Sequence, residues 1–336
     1  MATDPVQLLF DAIGGYQRSA ALRAAVELDV FTAIAEGTDA VPALAARCKA
    51  AERGVRILCD TLAAHGYLRK DSERYALDPE LAAFLDGRSP ACIVRAVSFM
   101  ASPVIWQAFG DLAAAVRRGG TALGAQEATA AENPMWVEFA RSMGPVARLT
   151  SEATAGMLDA DAGTPWNVLD VAAGHGFFGI AIARRNPRAR ITALDWRNVL
   201  AVTEENARAA GVADRLRLLP GDAFQLDWGT GYDLVLLPNI LHHFDERGCV
   251  TLLERSHRAL APGGRVVVVE FVPDESRASP PQAAAFALVM LAMTPGGDAY
   301  TFSEYERMCR KAGFASAELL PMPPPLPQQL VVATRK

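Results

Sequence analysis

The segment VLDVAAGHGFFG, Val168 to Gly179, decides how this chain folds. An apolar strand carries an acid, Asp170, near its end and then breaks into a glycine loop that opens a helix. Glycines there let backbone N–H groups approach an anionic or polar ligand where a β-carbon would collide. A second strand, ITALD, ends on Asp195, 25 residues after Asp170, close to the ~20 residues between a glycine loop and the ribose-binding carboxylate of a nucleotide-binding βαβ unit. The pair predicts a ribose-containing cofactor.

Outward from this unit, strand and helix patterns alternate. WNVLDV, RITALD, RLRLLP, YDLVLLP and RVVVVEFV are nearly all apolar, as parallel strands buried on both faces are. Helical patterns fall at Phe177–Arg185, Val199–Ala210 and Asp245–Leu260, and Pro262-Gly263-Gly264 is expected to stop the last. A further helix runs from Thr301 to Gly313, opened by a capping box of Thr301 and Glu304 with Tyr300 and Tyr305 as its staple. Two more strands, ASAELL and LVVATRK, are joined by the stiff link PMPPPLP.

Residues 1–100 are almost wholly helical in pattern, apart from LRKDSERYAL, two extended pieces around the turn Asp71-Ser72-Glu73. Helix, turn, helix and hairpin make a winged-helix arrangement, which often reads DNA. Here 11 Lys and Arg stand against 13 Asp and Glu, net −2, whereas phosphate neutralisation dominates DNA affinity. A packing or dimerisation module is therefore expected, and no nucleic-acid partner. Residues 101–160 read as alanine-rich helical connectors. Their Trp106, Met135, Trp136, Phe139 and Met143 suit either core packing or the wall of a pocket for a flat apolar ligand. The expected organisation is 1–100, 101–160 and a cofactor-binding α/β domain over 161–336.

Bulk properties narrow the setting. The 336 residues are 51% hydrophobic with net charge −5, ordinary for a soluble globular protein. Five dispersed cysteines without CxxC spacing fit a reducing compartment. MATDPVQLLF has no basic leader region. The longest apolar run, Ala283 to Met293, is shorter than the ~20 residues that span a bilayer. A cytoplasmic protein without membrane association is expected.

Gly174, Gly176 and Gly179 satisfy GxGxxG, the dinucleotide fingerprint. Three features argue for a different cofactor. Asp170 lies on the approach to the loop, where a carboxylate repels a diphosphate but suits a cofactor with a cationic amino-acid end. The third strand is followed by Gly221-Asp222-Ala223-Phe224, an acid and an aromatic suited to an adenine amino group and ring face. No second mononucleotide-binding half follows the fifth strand. Taken in order, VLDVAAGHG, ALD, GDAF, YDLVLLPNILHHFD and PGG resemble the class I S-adenosylmethionine-dependent methyltransferases. With the helical front part, nearly all 336 residues resemble the small-molecule O-methyltransferases, which include caffeate and polyketide enzymes. The resemblance implies an α/β fold, a Rossmann-like seven-stranded methyltransferase sheet preceded by a mostly helical winged-helix domain that forms a homodimer. It implies S-adenosyl-L-methionine as cofactor and S-adenosyl-L-homocysteine as product. The loop at Gly174 and Gly176, with Asp170 on its approach, would hold the methionine moiety, Asp195 and Trp196 the ribose, and Asp222, Ala223 and Phe224 the adenine. Asn239 would line the amino-acid end.

Methyl transfer from a sulfonium to a hydroxyl needs the acceptor held in line, its proton removed and water excluded. Two ionisable groups lie past the carboxyl ends of neighbouring strands, His242 and Glu270. A carboxylate there orients the imidazole and stabilises the imidazolium formed on proton uptake. In the resembled family the base is a histidine at the position of His242, assisted by a glutamate at that of Glu270. Two departures stand out: His242-His243-Phe244 replaces His-Asp-Trp, and Ala299, beside Asp298, replaces a second glutamate. His243 is expected to be structural, and no metal site is expected. Phe139, Met143, Met290 and Asp298 are the candidate substrate-pocket residues. The expected activity is methylation of a hydroxyl on a small, aromatic or polyketide-like metabolite. The rivals are carbon methylation of an activated aromatic or keto acid, and a cofactor-binding protein that transfers nothing, such as a winged-helix regulator.

Overall fold

A computed structural model describes residues 4–122 and 132–336; residues 123–131 of the expected connector lie outside them. The chain divides into two compact units, Met1–Trp106 and Gln107–Lys336.

In the first unit, helices Pro5–Glu27, Val30–Ala35, Val41–Arg47 and Glu52–Ala64 precede a hairpin of β1 (Leu68–Asp71) and β2 (Arg74–Leu77). Phe31, Leu44, Leu62 and Tyr75 fill its core. The buried Tyr75 ring leaves its hydroxyl to donate to Asp60 at 2.7 Å, and Lys70 donates to the same carboxylate at 2.6 Å. The opening helix is different. Val6, Leu8, Leu9, Phe10, Ile13 and Tyr16 are each between 58% and 69% exposed, a long apolar surface for one helix to leave in water.

The second unit is built on β3 (Asn167–Val171), β4 (Arg190–Asp195), β5 (Leu216–Pro220), β6 (Tyr232–Pro238), β7 (Leu260–Glu270), β8 (Ala317–Pro321) and β9 (Gln329–Thr334). They form one seven-stranded sheet in the order β5-β4-β3-β6-β7-β9-β8. The first five are parallel, and β9 and β8 close the far edge antiparallel. β3, β4, β6 and β7 are buried on both faces, whereas β5 and β8 alternate as edge strands do. Helices Phe177–Arg185, Arg197–Ala209, Glu246–Ala259 and Phe302–Lys311 join and flank the strands. The capping box forms: Thr301 Oγ1 accepts from Glu304 N, and Glu304 Oε2 accepts from Thr301 N. Pro262-Gly263-Gly264 differs from expectation. The preceding helix already ends at Ala259, and the three residues lie inside β7, where Gly263 N donates to Arg335 O. A register shift accommodates them: Tyr232 pairs with Leu260 and Leu234 with Arg265, so the extra residues bulge on β7.

Because the strand order reverses at β3, the loops after β3 and β6 diverge and leave a crevice beyond the carboxyl ends of the parallel strands. The acids Asp195 and Glu270 terminate β4 and β7 at that edge. Asp170 lies deeper, 1% exposed, with Oδ2 accepting from Gly179 N at 3.0 Å. Oδ1 is buried without a hydrogen-bond partner among the described residues. Burial, reinforced by the charge of Asp195, pushes this carboxyl up to about 7. The unfolded chain ionises it near pH 4, so between those values the folded chain holds a proton the unfolded chain lacks. Its stabilising contribution is complete below about pH 4 and is lost as pH rises through about 7. Urea unfolding from pH 5 to pH 8 should therefore cost the natural chain on the order of 2 kcal/mol relative to Asp170→Asn. Parallel pH profiles for the two would show that Asp170 ionises normally.

Candidate active site

The loop after β3 is shaped from two directions. Gly174, at φ +58°, has open space where a β-carbon would stand, with only Ala172 O near it. A side chain there would be strained and would project into the crevice. Gly176, at φ +76°, has a different role: a β-carbon would strike Thr203 of helix Arg197–Ala209, so this glycine packs helix against loop. Asp195 holds the loop from the neighbouring strand. Its Oδ2 accepts from Gly174 N at 2.8 Å and its Oδ1 from Trp196 N at 2.7 Å. Burial raises the Asp195 carboxyl to about 6 against those two donors.

The crevice is a cavity of about 690 Å³, within the ~300–1,000 Å³ of small-molecule sites. Gly174, Asp195, Trp196, Asp222, Ala223, Phe224 and Asn239 all border it. Asp222 Oδ1 accepts from Phe224 N at 2.7 Å, and the Phe224 ring stands edge-to-face on Phe244, centroids 4.8 Å apart. Asn239 adopts φ +54°, and its Oδ1 accepts from Gln328 Nε2 at 2.7 Å. His175 borders the cavity too. Its Nδ1 accepts from Phe177 N at 3.2 Å, and burial holds the ring neutral by lowering it to about 4. An open glycine backbone, an acid at one strand end, then an acid and an aromatic at the next fit a ribose bearing a methionine end and an adenine.

At the other side of the crevice, β6 and β7 are parallel neighbours, so the turn after β6 lands beside Glu270. That turn, Leu241–His243, is a single 3₁₀ turn. Glu270 Oε1 accepts from Leu241 N at 3.0 Å and from His242 N at 3.3 Å, while Oε2 lies 2.6 Å from His242 Nδ1. His242 is 4% and Glu270 1% exposed. His242 Nε2 lies 3.2 Å from His243 Nε2, the rings 4.3 Å apart. His243 borders the cavity, its ring edge-to-face with that of Trp136, centroids 5.2 Å apart. Burial and the neighbouring His242 lower the His243 pKa well below the usual imidazole range. Phe286, from helix Pro281–Met293, meets His242 edge-on at 4.7 Å and stacks on Phe271 at 4.1 Å.

The sequence-predicted residues thus divide. Phe139 and Trp136 border the cavity with the cofactor candidates. Asp170 and Gly176 lie beneath the loop, and Met143 and Met290 are packed away from the cavity wall. Asp298 is paired with Arg277 at 3.2 Å, both side chains about 40% exposed. Sequence reading missed the place of His243, Phe286 and Phe271 at this end; only the His-His pair after β6 signalled the first.

Comparison with known proteins shows the family. Residues 109–315 match the model of the O-methyltransferase domain, and residues 10–85 that of the O-methyltransferase dimerisation domain. Acetylserotonin O-methyltransferase of Mus musculus is 29% identical over 93% of this chain and 84% of its own. The 3-hydroxy-5-methyl-1-naphthoate 3-O-methyltransferase of Streptomyces sahachiroi is 30% identical over 91% and 88%. A solved structure from Nostoc punctiforme, provisionally assigned as an O-methyltransferase, is 47% identical, covers 99% of this chain and 100% of its own, and superposes with a TM-score of 0.91. The chain therefore belongs to the O-methyltransferase family and is an S-adenosylmethionine-dependent O-methyltransferase.

Proposed function

We propose that this chain methylates a hydroxyl of a small aromatic or polyketide-like metabolite, with His242 as the base and Glu270 orienting it. The observation that carries this reading is the buried pair at 2.6 Å at the end of β7, beside the crevice. Bound S-adenosylmethionine supplies an electrophilic methyl group on a sulfonium, whose C–S electron pair stays on sulfur as the acceptor oxygen takes the carbon. The chain supplies position, dryness and a proton acceptor. Asp195 offers its remaining lone pairs to the ribose hydroxyls, Asp222 to the adenine amino group, and the open backbone at Gly174 admits the methionine end. Glu270 fixes the tautomer of His242 and stabilises the imidazolium after it takes a proton. Phe286, Phe271, Trp136 and Phe139 are flat apolar surfaces suited to an aromatic acceptor, and the names of the naphthoate and acetylserotonin enzymes are in keeping with such a substrate class. The exposed apolar residues of helix Pro5–Glu27 are the proposed homodimer interface, in a region matching a dimerisation domain.

Four outcomes are expected. Calorimetry should detect S-adenosylmethionine binding, weakened at least ~10-fold in Asp195→Ala, since a carboxylate paired with two hydroxyls is worth more than about 1.4 kcal/mol. Unchanged affinity would remove Asp195 from the site. Labelled cofactor offered with a panel of phenols, catechols, keto acids and amino acids should methylate a phenolic oxygen, located by mass spectrometry and NMR. His242→Ala should lower that turnover by about 10²–10⁴-fold while S-adenosylmethionine still binds; near-natural turnover would exclude His242 as base. Finally, light scattering on a sizing column should give a dimer that Leu9→Glu with Ile13→Glu converts to monomer, and a natural chain that elutes as monomer at micromolar concentration would refute the interface.

A further inference from the structure

We propose that His243 is a second catalytic residue: it accepts the acceptor's proton at Nδ1 and passes its own Nε2 proton to His242, making Glu270, His242 and His243 one relay. The inference rests on the reading of His242 and Glu270 as the base pair. It follows from counting protons along the observed contacts. Glu270 accepts two backbone N–H groups on Oε1, and its Oε2 faces His242 Nδ1 at 2.6 Å. Nδ1 therefore carries the hydrogen, and Nε2 of neutral His242 is a bare lone pair. That lone pair meets His243 Nε2 at 3.2 Å. Two bare nitrogens do not hydrogen-bond, so His243 holds its proton on Nε2 and leaves Nδ1 bare.

An imidazole nitrogen has one in-plane lone pair, and that of His242 is already engaged. Direct attack on the acceptor's proton by His242 would require His243 to leave. The ring of His243 is instead held between His242 and the edge of Trp136. Of the two imidazoles it is His243 that borders the cavity, and among the described residues nothing meets its Nδ1. Burial keeps His243 neutral in the resting chain, as a proton acceptor must be.

As the acceptor oxygen takes the methyl group from sulfur, which keeps the C–S pair, its O–H bond breaks and the proton forms an N–H bond at His243 Nδ1. The Nε2–H bond of His243 breaks and that proton forms an N–H bond at His242 Nε2. His243 is again neutral, as the other tautomer, and the positive charge rests on His242 against Glu270. Loss of the Nδ1 proton to water, with return of the Nε2 proton from His242, restores the start. Glu270 on β7 is the ionisable group in contact with the pair; around the turn lie Asp245, Cys249, whose Sγ donates to Leu241 O at 3.1 Å, Tyr300, whose hydroxyl donates to Phe244 O at 2.7 Å, and Tyr305 near Glu270.

Two measurements test the relay. The chain has five histidines, so ¹⁵N-histidine NMR of the full-length protein without cofactor can assign each ring. At pH 8 it should show His242 protonated on Nδ1 and His243 on Nε2. A proton on Nδ1 of His243 overturns the relay, because the accepting nitrogen would be filled. His243→Phe keeps an aromatic edge for Trp136 but carries no proton. With the phenol best methylated in the panel, its kcat should fall about 100-fold while KM stays within about threefold. Its S-adenosylmethionine affinity should be unchanged by calorimetry, and the loss should shrink with phenols already ionised at the assay pH. If His242→Phe loses turnover and His243→Phe keeps it, the relay is wrong and His242 acts alone. If both keep it, the underlying base assignment fails as well.

Discussion

Glu270 ends β7 with its carboxylate 1% exposed, and burying such a group costs several kcal/mol unless donors replace the lost water. Three donors do so here: Leu241 N, His242 N and His242 Nδ1. All three come from one turn, which explains its shape. The backbone after β6 cannot run on as a loop; it must curl into a 3₁₀ turn that presents two successive N–H groups to the same oxygen. The imidazole then meets the second oxygen without further adjustment. Cys249 adds a thiol contact to Leu241 O at 3.1 Å, tying helix Glu246–Ala259 to the same turn. One side chain thus orders backbone, imidazole and helix together, and it stands where it does because β6 and β7 are paired in parallel register from Leu234 to Pro238.

A similar device operates on the other side of the crevice, with a different balance. Asp195 ends β4, yet it braces the loop that follows β3, through Gly174 N. The register Val171 to Leu194 makes this reach short. Fewer donors serve Asp195 than Glu270, and Asp170, which feels the charge of Asp195, keeps one oxygen unpartnered. Burial wins at both aspartates, and both carboxyls titrate far above the usual range. The glycine loop is accordingly a stack of separate requirements. Gly174 leaves room toward the crevice, Gly176 leaves room for Thr203, and Gly179 N serves Asp170. A single GxGxxG pattern conceals three distinct physical constraints.

Those constraints determine what was legible in the sequence. Doubly buried parallel strands need unbroken apolar runs, so β3, β4, β6 and β7 announce themselves, and a sheet of that kind places strand-end acids at one edge. Asp195 and Glu270 were readable for this reason, as was the neighbourhood of His242. The capping box at Thr301 was readable because it is a local hydrogen-bond exchange. Contacts that depend on side-chain direction were not. Adjacent residues in a loop usually point apart, and only the 3₁₀ turn brings the rings of His242 and His243 to 4.3 Å. Helix Pro281–Met293 is apolar on every side, so no periodicity distinguishes Phe286, which meets His242, from Met290, which is packed away. Asp298 was plausible by position but faces Arg277. The Pro-Gly-Gly element carries a stop signal that a strand used instead, since a local register shift absorbs it.

The two ends of the crevice also differ in what holds their side chains. The acids Asp195 and Asp222 belong to a strand end or to the first residues after one, where the ladder of a buried sheet fixes the backbone. The surfaces at the other end come from helices and irregular segments: Trp136 and Phe139 from helix Pro134–Met157, and Pro295 and Gly296 from the turn after helix Pro281–Met293. A helix face can be rebuilt without disturbing a strand ladder, whereas a strand-end acid cannot move without its register. Relatives 28–30% identical, named for acetylserotonin, for mitomycin biosynthesis and for a naphthoate, are what such a division permits. Function grafted on a scaffold varies where side chains are held by surface packing and persists where they are held by the sheet. His243 lies on the boundary between the two regimes: its backbone belongs to the turn that Glu270 holds, and its ring meets the edge of Trp136 on a helix.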